Sequence, residues 1–292
     1  MNIITPTTQE PRELTFLERR QFSRPGFRHE LTNDQVIALA PSAGAGHAAE
    51  IASDRYSYIP TIDVIDALRD MDYTPVWASE NKARKASRGG FQTHVIRLRK
   101  GGIETEERTG DEVSEIVLFN SHDTGSSFRI EAGIFRFVCA NGMVVGDKTV
   151  PGVRLRHVGL ELDQVIESVS RVAHRVPEAL EAAKQWKTID LAPEDVVHLN
   201  ETAINARWGS IEKLPGDLTP SAFLCPRRKE DITPNLYTVT NVIQENILRG
   251  GQRYQNSETR RRGRVRAVGS VEVDRRVNVD LWAAAREIAD AT

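Results

Sequence analysis

Alternating apolar and polar residues predict a series of strands in the first half of the chain. The alternating segments are residues 55–59, 73–79, 91–100, 113–119 and 128–138. Asn141–Gly142 is the strongest two-residue hairpin signal in the chain, and residues 143–145 follow it as a further strand. Together these segments predict an antiparallel meander of three or four strands.

Helical spacing of apolar residues dominates the second half of the chain. It is continuous from Leu162 to Trp186, where Pro177 predicts a kink or a restart. Further helices are predicted over residues 61–71, 193–208, 236–248 and from 271 onward. The fold class that follows is α+β, with an antiparallel β-meander packed against a long helix and then a mostly helical C-terminal half. The alternating order of a Rossmann-type fold is absent.

Domain organisation follows from the same pattern. Residues 1–30 combine prolines and charges without periodicity, which predicts an extended or adaptable arm. Residues 31–292 are predicted to form a single α+β domain, strand-rich over 31–158 and helix-rich over 159–292. The small residues of 41–46 predict a flexible connection, because this segment lacks the lysine and hydroxyl residue of a P-loop.

Charge and cysteine content limit the possible partners and compartments. The chain has 39 basic and 41 acidic side chains and a net charge of −2, so any nucleic-acid site must come from local clustering. Cys139 lies in an apolar run and is interpreted as a buried thiol, and Cys225 is distant from it. With no secretory signal and no apolar stretch of spanning length, we expect a cytoplasmic protein.

Residues 249–266 form a local excess of positive charge, with seven arginines and a single acid, Glu258. Guanidinium groups suit phosphate oxygens, and Tyr254 is predicted to stack on a base. The alternative is a solvated loop whose arginines pair with acids elsewhere. Two other basic segments, a loop at 82–88 and one face of the 91–100 strand, are candidates for a composite groove. The predicted nucleic-acid-binding residues are Arg249, Arg253, Tyr254, Arg260, Arg261, Arg262, Arg264, Arg266, Lys82, Arg84, Lys85, Arg88, Arg97 and Arg99.

Signals for catalysis or metal binding are weak. Asn120, Ser121, His122 and Asp123 include residue types found in nucleophilic sites, but they also build tight turns, and turn chemistry is favoured. The seven histidines show no metal-ligand spacing, so no metal, no cofactor and no enzymatic activity are expected. The apolar stripes ending in Trp186 and Trp208 predict core or subunit contacts, and a homo-oligomer is expected.

Three segments, residues 55–78, 116–145 and 238–253, together resemble a phage/plasmid-like family catalogued as domain of unknown function 932. The resemblance spans roughly residues 31–289, and it implies a prophage, plasmid or conjugative element as the setting. It supplies no catalytic residues, because the family has no established activity. The order of elements is also similar to the core of Rad52-like single-strand annealing proteins, which is an analogy of fold alone.

Three functions remain open at this point. The first is a DNA-binding protein of a mobile element that binds or anneals single strands in recombination or replication. The second is a protein-binding inhibitor of a host defence system that makes no nucleic-acid contact. The third is an enzyme, for instance a nuclease with a site near His122 and Asp123.

Overall fold

The computed structural model describes residues 30–82, 88–101, 112–136, 141–145, 152–256 and 258–292. Its main sheet is antiparallel and runs in the order β1-β2-β3-β4-β5, with β6 also paired to β4. The strands are β1 (Tyr73–Glu80), β2 (His94–Lys100), β3 (Glu112–Asn120), β4 (Phe128–Arg136), β5 (Asn141–Val145) and β6 (Val153–Leu155). The predicted meander is therefore confirmed. One edge of β4 carries two strands in succession, β6 at residues 128–130 and β5 at residues 132–136.

All five predicted helices are present, and the structure adds one, at residues 33–39, that was not predicted. They are α1 (Asn33–Leu39), α2 (Thr61–Asp70), α3 (Leu162–Trp186), α4 (Pro193–Trp208), α5 (Leu236–Arg249) and α6 (Val271–Ala291), and a two-stranded hairpin of β7 (Arg253–Gln255) and β8 (Arg262–Arg264) separates the last two. No helix among the described residues is both long and apolar enough to cross a membrane. The α+β class is confirmed, with a mostly helical C-terminal region.

The two faces of the main sheet are covered by different helices. On one face, alternate residues such as Ile96, Leu118 and Ile130 are fully buried in the main core, and α3 packs over β3 and β4. The opposite face is a smaller apolar cluster centred on Phe119, to which α6 contributes Val271 and Val279. The strict alternation of β-strand side chains produces this division.

Pro177 lies inside α3 without ending it, so the predicted restart is wrong. A proline removes one helical hydrogen bond and costs about 3 kcal/mol in a helix interior. The apolar stripe stays in phase across it, because Val172 and Val176 before the proline and Ala179 and Ala183 after it are all buried. The burial of these side chains offsets the lost hydrogen bond.

Three local predictions are corrected by the fold. Residues 55–59 are not a strand, since they make a single bridge, between Tyr56 and Val158. Asn141 and Gly142 are not a turn, because they lie within β5 opposite residues 135–136. Residues 41–44, predicted as a flexible connection, form a 3₁₀ turn with Ser42 buried. In each case contacts with distant residues outweigh the local signal. Cys139 lies outside the described residues.

Candidate nucleic-acid interface

The arginine-rich segment forms a hairpin directly after α5. Gly250 and Gly251 reverse the chain with φ angles of 62° and 100°, in the left-handed region that favours glycine. A Cβ atom on Gly250 would lie 2.6 Å from the carbonyl oxygen of Val265, so the two ends of the hairpin approach closely. At the tip, the Asn256 side chain accepts from the backbone N–H of Thr259 at 2.7 Å. Residues 253–266 are called the arginine hairpin below.

One face of the arginine hairpin presents three arginines. Arg253 pairs directly with Arg264, and Gln255 pairs with Arg262. Directly opposite residues in an antiparallel pair share a face, so Arg253, Arg262 and Arg264 lie on the same side of the hairpin. All three are exposed, as are Arg260 and Arg261 at the tip and Arg266 at the end of the hairpin.

The positive charge of the hairpin is not neutralised within the described part of the chain. No carboxylate there lies within 4 Å of any of these six arginines, and Arg264 uses its Nε to donate to the carbonyl of Gly251 at 2.9 Å. Like charges placed directly opposite on a hairpin destabilise it. The surface therefore suits an anionic ligand that supplies the missing counter-charge.

Further arginines lie at the base of the hairpin. Arg228 and Arg249 both pair with the carboxylate of Glu245, Arg249 at 3.2 Å. Arg227 donates to the Asn246 side chain at 2.7 Å and to the carbonyl of Gly250. Its pKa is lowered, first by desolvation and then by the neighbouring positive charges of Arg249, Arg228 and Arg264, although Glu245 opposes the shift. Positive charge is therefore concentrated on both sides of the α5–hairpin junction.

Tyr254 lies on the other face of the hairpin. Its ring covers Gly263, where a Cβ atom would come within 2.4 Å of the ring carbon Cζ, and it also touches Gly216. It is half-buried and packs against the main core. Tyr254 therefore packs between the hairpin and the core, on the face opposite the three arginines.

Three of the other predicted basic residues are paired with carboxylates within the protein. Arg97 and Arg99 each lie 2.7 Å from a carboxylate oxygen of Glu115, with only 12% and 8% of their side chains exposed. They form a buried ion network under α6 and are paired within the protein. Arg88 lies 3.7 Å from Asp123.

Lys82 is exposed and follows Asn81, whose side chain accepts from the backbone N–H of Val271 at 3.0 Å. This contact places Lys82 near the start of α6, a few residues beyond the arginine hairpin. Arg84 and Lys85 lie outside the described residues.

Three arginines near the hairpin escaped the sequence prediction. Arg227 and Arg228 stand at its base, as described above. Arg207 donates from its guanidinium to the backbone carbonyls of Ile247 and Arg266, and its Cζ lies 4.3 Å from the ring centroid of Trp208. These residues are about 20 to 60 positions away in sequence, and no spacing signal links them to the hairpin.

The predicted turn after β3 belongs to a second, fully buried polar cluster. The Asn120 side chain bonds the N–H of Ser121 and the hydroxyl of Thr61, and Asp123 accepts from Gly125. The turn prediction is therefore confirmed. His122 is also buried here, and its ring lies 5.3 Å from the ring of His94.

Thr61 joins the two histidine rings. Its hydroxyl oxygen lies 2.8 Å from Nε2 of His94 and 3.4 Å from Nε2 of His122. Nδ1 of His94 donates to the carbonyl of Gln92 at 3.1 Å. Desolvation lowers the pKa of His94 to about 4 and that of His122 to about 3, so both rings are neutral at pH 7.

This cluster is closed to substrates, because His94, His122, Thr61 and Ser42 are each no more than 1% exposed. Nδ1 of His122 has no hydrogen-bond partner among the described residues. No group of three His, Cys, Asp or Glu side chains suited to a metal ion occurs within the ranges that the structure covers. The arrangement stabilises the junction of α2 with the sheet, and the hairpin remains the candidate binding surface.

The fold and the surface define an α+β protein with an exposed arginine hairpin that has no paired carboxylate among the described residues. Residues 48–279 match the family model described as a domain of unknown function (DUF932), and the chain belongs to this family. Two proteins of Escherichia coli (strain K12), UPF0380 protein YafZ and UPF0380 protein YfjQ, are each 33% identical to it over 258 residues. Each alignment covers 88% of this chain and 91% of the relative. No solved structure matches.

Proposed function

We propose that the protein binds DNA, preferentially single-stranded, through the arginine hairpin, as a non-enzymatic factor in the recombination or replication of a mobile element. The observation that carries the proposal is the face formed by Arg253, Arg262 and Arg264, three exposed guanidinium groups with no carboxylate within 4 Å among the described residues. Guanidinium groups bind phosphate oxygens in a bidentate, charge-assisted geometry.

The buried arginines of the sheet are paired with carboxylates. Arg97, Arg99 and Arg136 are each matched to a buried or nearly buried carboxylate. Against this background, an unmatched cluster on a two-stranded hairpin carries an energetic cost, which a phosphate backbone relieves by releasing its counterions.

The distribution of the charges favours a polymer over a small anion. They extend from Arg253 along both strands and around the tip to Arg266, so one phosphate group contacts only a few of them. A chain of phosphates contacts several at once. DNA is the expected polymer, because the family resemblance implies a mobile-element setting.

The direct test is fluorescence anisotropy of labelled single-stranded and duplex DNA at low and near-physiological salt. We expect a Kd below about 1 μM at low salt that rises steeply with salt, as phosphate neutralisation requires. The triple variant Arg253→Gln, Arg262→Gln, Arg264→Gln should bind more weakly. Its slope of log K against log salt should fall by about 2, since each single-strand phosphate contact contributes about 0.7.

A matched control removes three exposed arginines elsewhere, by Arg55→Gln, Arg156→Gln and Arg171→Gln. It changes net charge equally and should leave the slope unchanged. Equal losses in both triple variants would show that bulk charge, rather than the hairpin, attracts DNA. Absence of binding at either salt concentration would refute the proposal and favour a protein partner.

A further inference from the structure

An open hollow lies beside the arginine hairpin, between the C-terminal end of α4 and the middle of α6. Its volume is about 600 Å³, within the range of small-molecule sites. The lining side chains that matter for binding are Thr202, Asn205, Arg207, Trp208, Arg276 and Asp280. The hollow thus combines an aromatic ring, two guanidinium groups and three short polar side chains.

Arg207 forms the wall that the hollow shares with the hairpin. Its guanidinium donates to the carbonyl of Arg266, the last arginine of the hairpin, and to that of Ile247. These two bonds hold the group in place 4.3 Å from the ring centroid of Trp208. A ligand that follows the hairpin arginines with its phosphates therefore passes the mouth of the hollow.

Trp208 supplies a stacking surface. It is half-buried, and its ring lies 5.4 Å from that of Phe223, which fixes its position against the core. Aromatic and guanidinium planes are the surfaces on which proteins stack the unpaired bases of single strands. Trp208 and Arg207 provide surfaces of this kind.

The polar rim of the hollow has unused hydrogen-bonding capacity. Asn205 and Asp280 are exposed, and neither side chain makes a hydrogen bond within the described part of the chain. Arg276, one turn before Asp280 on α6, uses Nε to donate to the carbonyl of Ala206 at 2.7 Å. A carboxylate and an amide at the edge of a stacking surface fit the amino and ring N–H donors of a base edge.

We infer that this hollow is a nucleobase subsite, in which an unpaired base stacks on Trp208 and presents its Watson–Crick edge to Asp280 and Asn205. The inference rests on the proposed function and deepens it. In a duplex the Watson–Crick edge is already paired, so occupancy of the hollow selects single strands. Phosphates on the hairpin set affinity and its salt dependence, and the base in the hollow sets the preference for single strands.

The test compares Trp208→Leu with the unaltered protein on three probes of equal length: an oligo(dC) strand, an abasic sugar-phosphate strand and a duplex. Leucine retains apolar contact with Phe223 but removes the stacking surface. We expect Trp208→Leu to weaken oligo(dC) binding about tenfold or more, the effect of losing one stacked base. Binding of the abasic strand and of the duplex should not change, and the salt slope should be retained.

A second variant, Asp280→Asn, removes the negative charge and replaces one acceptor oxygen with an amide donor, without touching the core. It should weaken oligo(dC) binding, whereas Glu287→Gln, an equal charge change at an exposed position of the same helix, should not. A free deoxycytidine monophosphate probe separates an independent nucleotide site from a strand-dependent subsite. Saturable binding of this probe at micromolar concentration, with no difference between oligo(dC) and the abasic strand, would overturn the inference.

The two proposals fail in different ways. Two results would refute the base subsite but not the hairpin interface. In one, binding depends on salt but the abasic strand and oligo(dC) bind with equal affinity. In the other, Trp208→Leu weakens the binding of all three probes to the same extent. Absence of any salt-dependent binding would refute both the subsite and the interface. Thermal unfolding of each variant shows whether a loss of binding is caused by misfolding. If Trp208→Leu misfolds, the binding of oligo(dC) by Asp280→Asn tests the subsite instead.

Discussion

The buried histidine pair contributes stability that is lost as the pH falls below about 6.5. Desolvation holds the folded-state pKa of His94 at about 4 and that of His122 at about 3, whereas an unfolded histidine has a pKa of about 6.5. As the pH falls, the unfolded chain binds protons before the folded one does. The stabilisation is therefore complete above about pH 6.5 and is lost as the pH falls toward the folded values.

The magnitude follows from the same pKa values. At pH 5, an unfolded histidine is almost fully protonated while either buried ring is still neutral. The linkage relation then gives a loss of about 2 kcal/mol for each ring, or about 4 kcal/mol for the pair. Small domains have a free energy of unfolding of about 5–15 kcal/mol, so the loss is a large share of the total. Burial also lowers the pKa of His157, which adds to the effect in the same direction.

Urea unfolding at pH 7.5, 6.5, 5.5 and 5.0 measures this dependence. The variant His94→Gln keeps a side chain able to bond Thr61 and Gln92 but has no titrating group, so its loss between pH 7.5 and 5 should be smaller by about 2 kcal/mol. His198→Gln, at an exposed position on α4, should retain the full loss. Identical pH profiles for the unaltered protein and His94→Gln would refute the reasoning.

Two further predictions concern stability. Glu115→Gln leaves the guanidinium groups of Arg97 and Arg99 without their shared carboxylate. It should lower the free energy of unfolding, measured by urea titration, by about 3–5 kcal/mol. A loss below about 1 kcal/mol would contradict the buried ion network. Gly250→Ala introduces a Cβ atom 2.6 Å from the carbonyl oxygen of Val265 at a φ of 62°, and it should cost at least about 1–3 kcal/mol. The control variant Gly269→Ala should not lose this free energy of unfolding, because a Cβ atom at that position meets nothing within 4 Å.

The fold was predictable where one face of an element is buried. The strands of the meander and the long helices carry clear apolar periodicity, because each has one face on the core. Predictions failed where the signal was short. Asn141–Gly142 is a strong local turn signal, but pairing with β4 places both residues in a strand. Residues 55–59 alternate like a strand, yet Tyr56 donates its hydroxyl to the carbonyl of Ser121 and packs on His157 instead.

The candidate site was only partly predictable for a related reason. Sequence shows how many charges a segment carries, and the arginine hairpin stood out on that basis. The sequence does not show which of these charges are paired with an opposite charge in the folded protein. Arg97 and Arg99 look as available as Arg262 until the register of β2 and β3 places Glu115 opposite Arg99. Likewise Trp208 and Asp280 share a hollow only because α4 and α6 pack together.

The position of α6 also determines when the fold can be completed during synthesis. A ribosome makes the sheet first, and α3 can cover one of its faces soon afterwards. The other face, around Phe119, receives Val271 and Val279 only after more than eighty residues beyond the end of α3 have been translated. Until then the nascent chain carries an apolar surface beside the partly buried ion network of Arg97, and nascent domains in that state are prone to aggregate. The second face of the sheet is thus covered only once α6 has been translated.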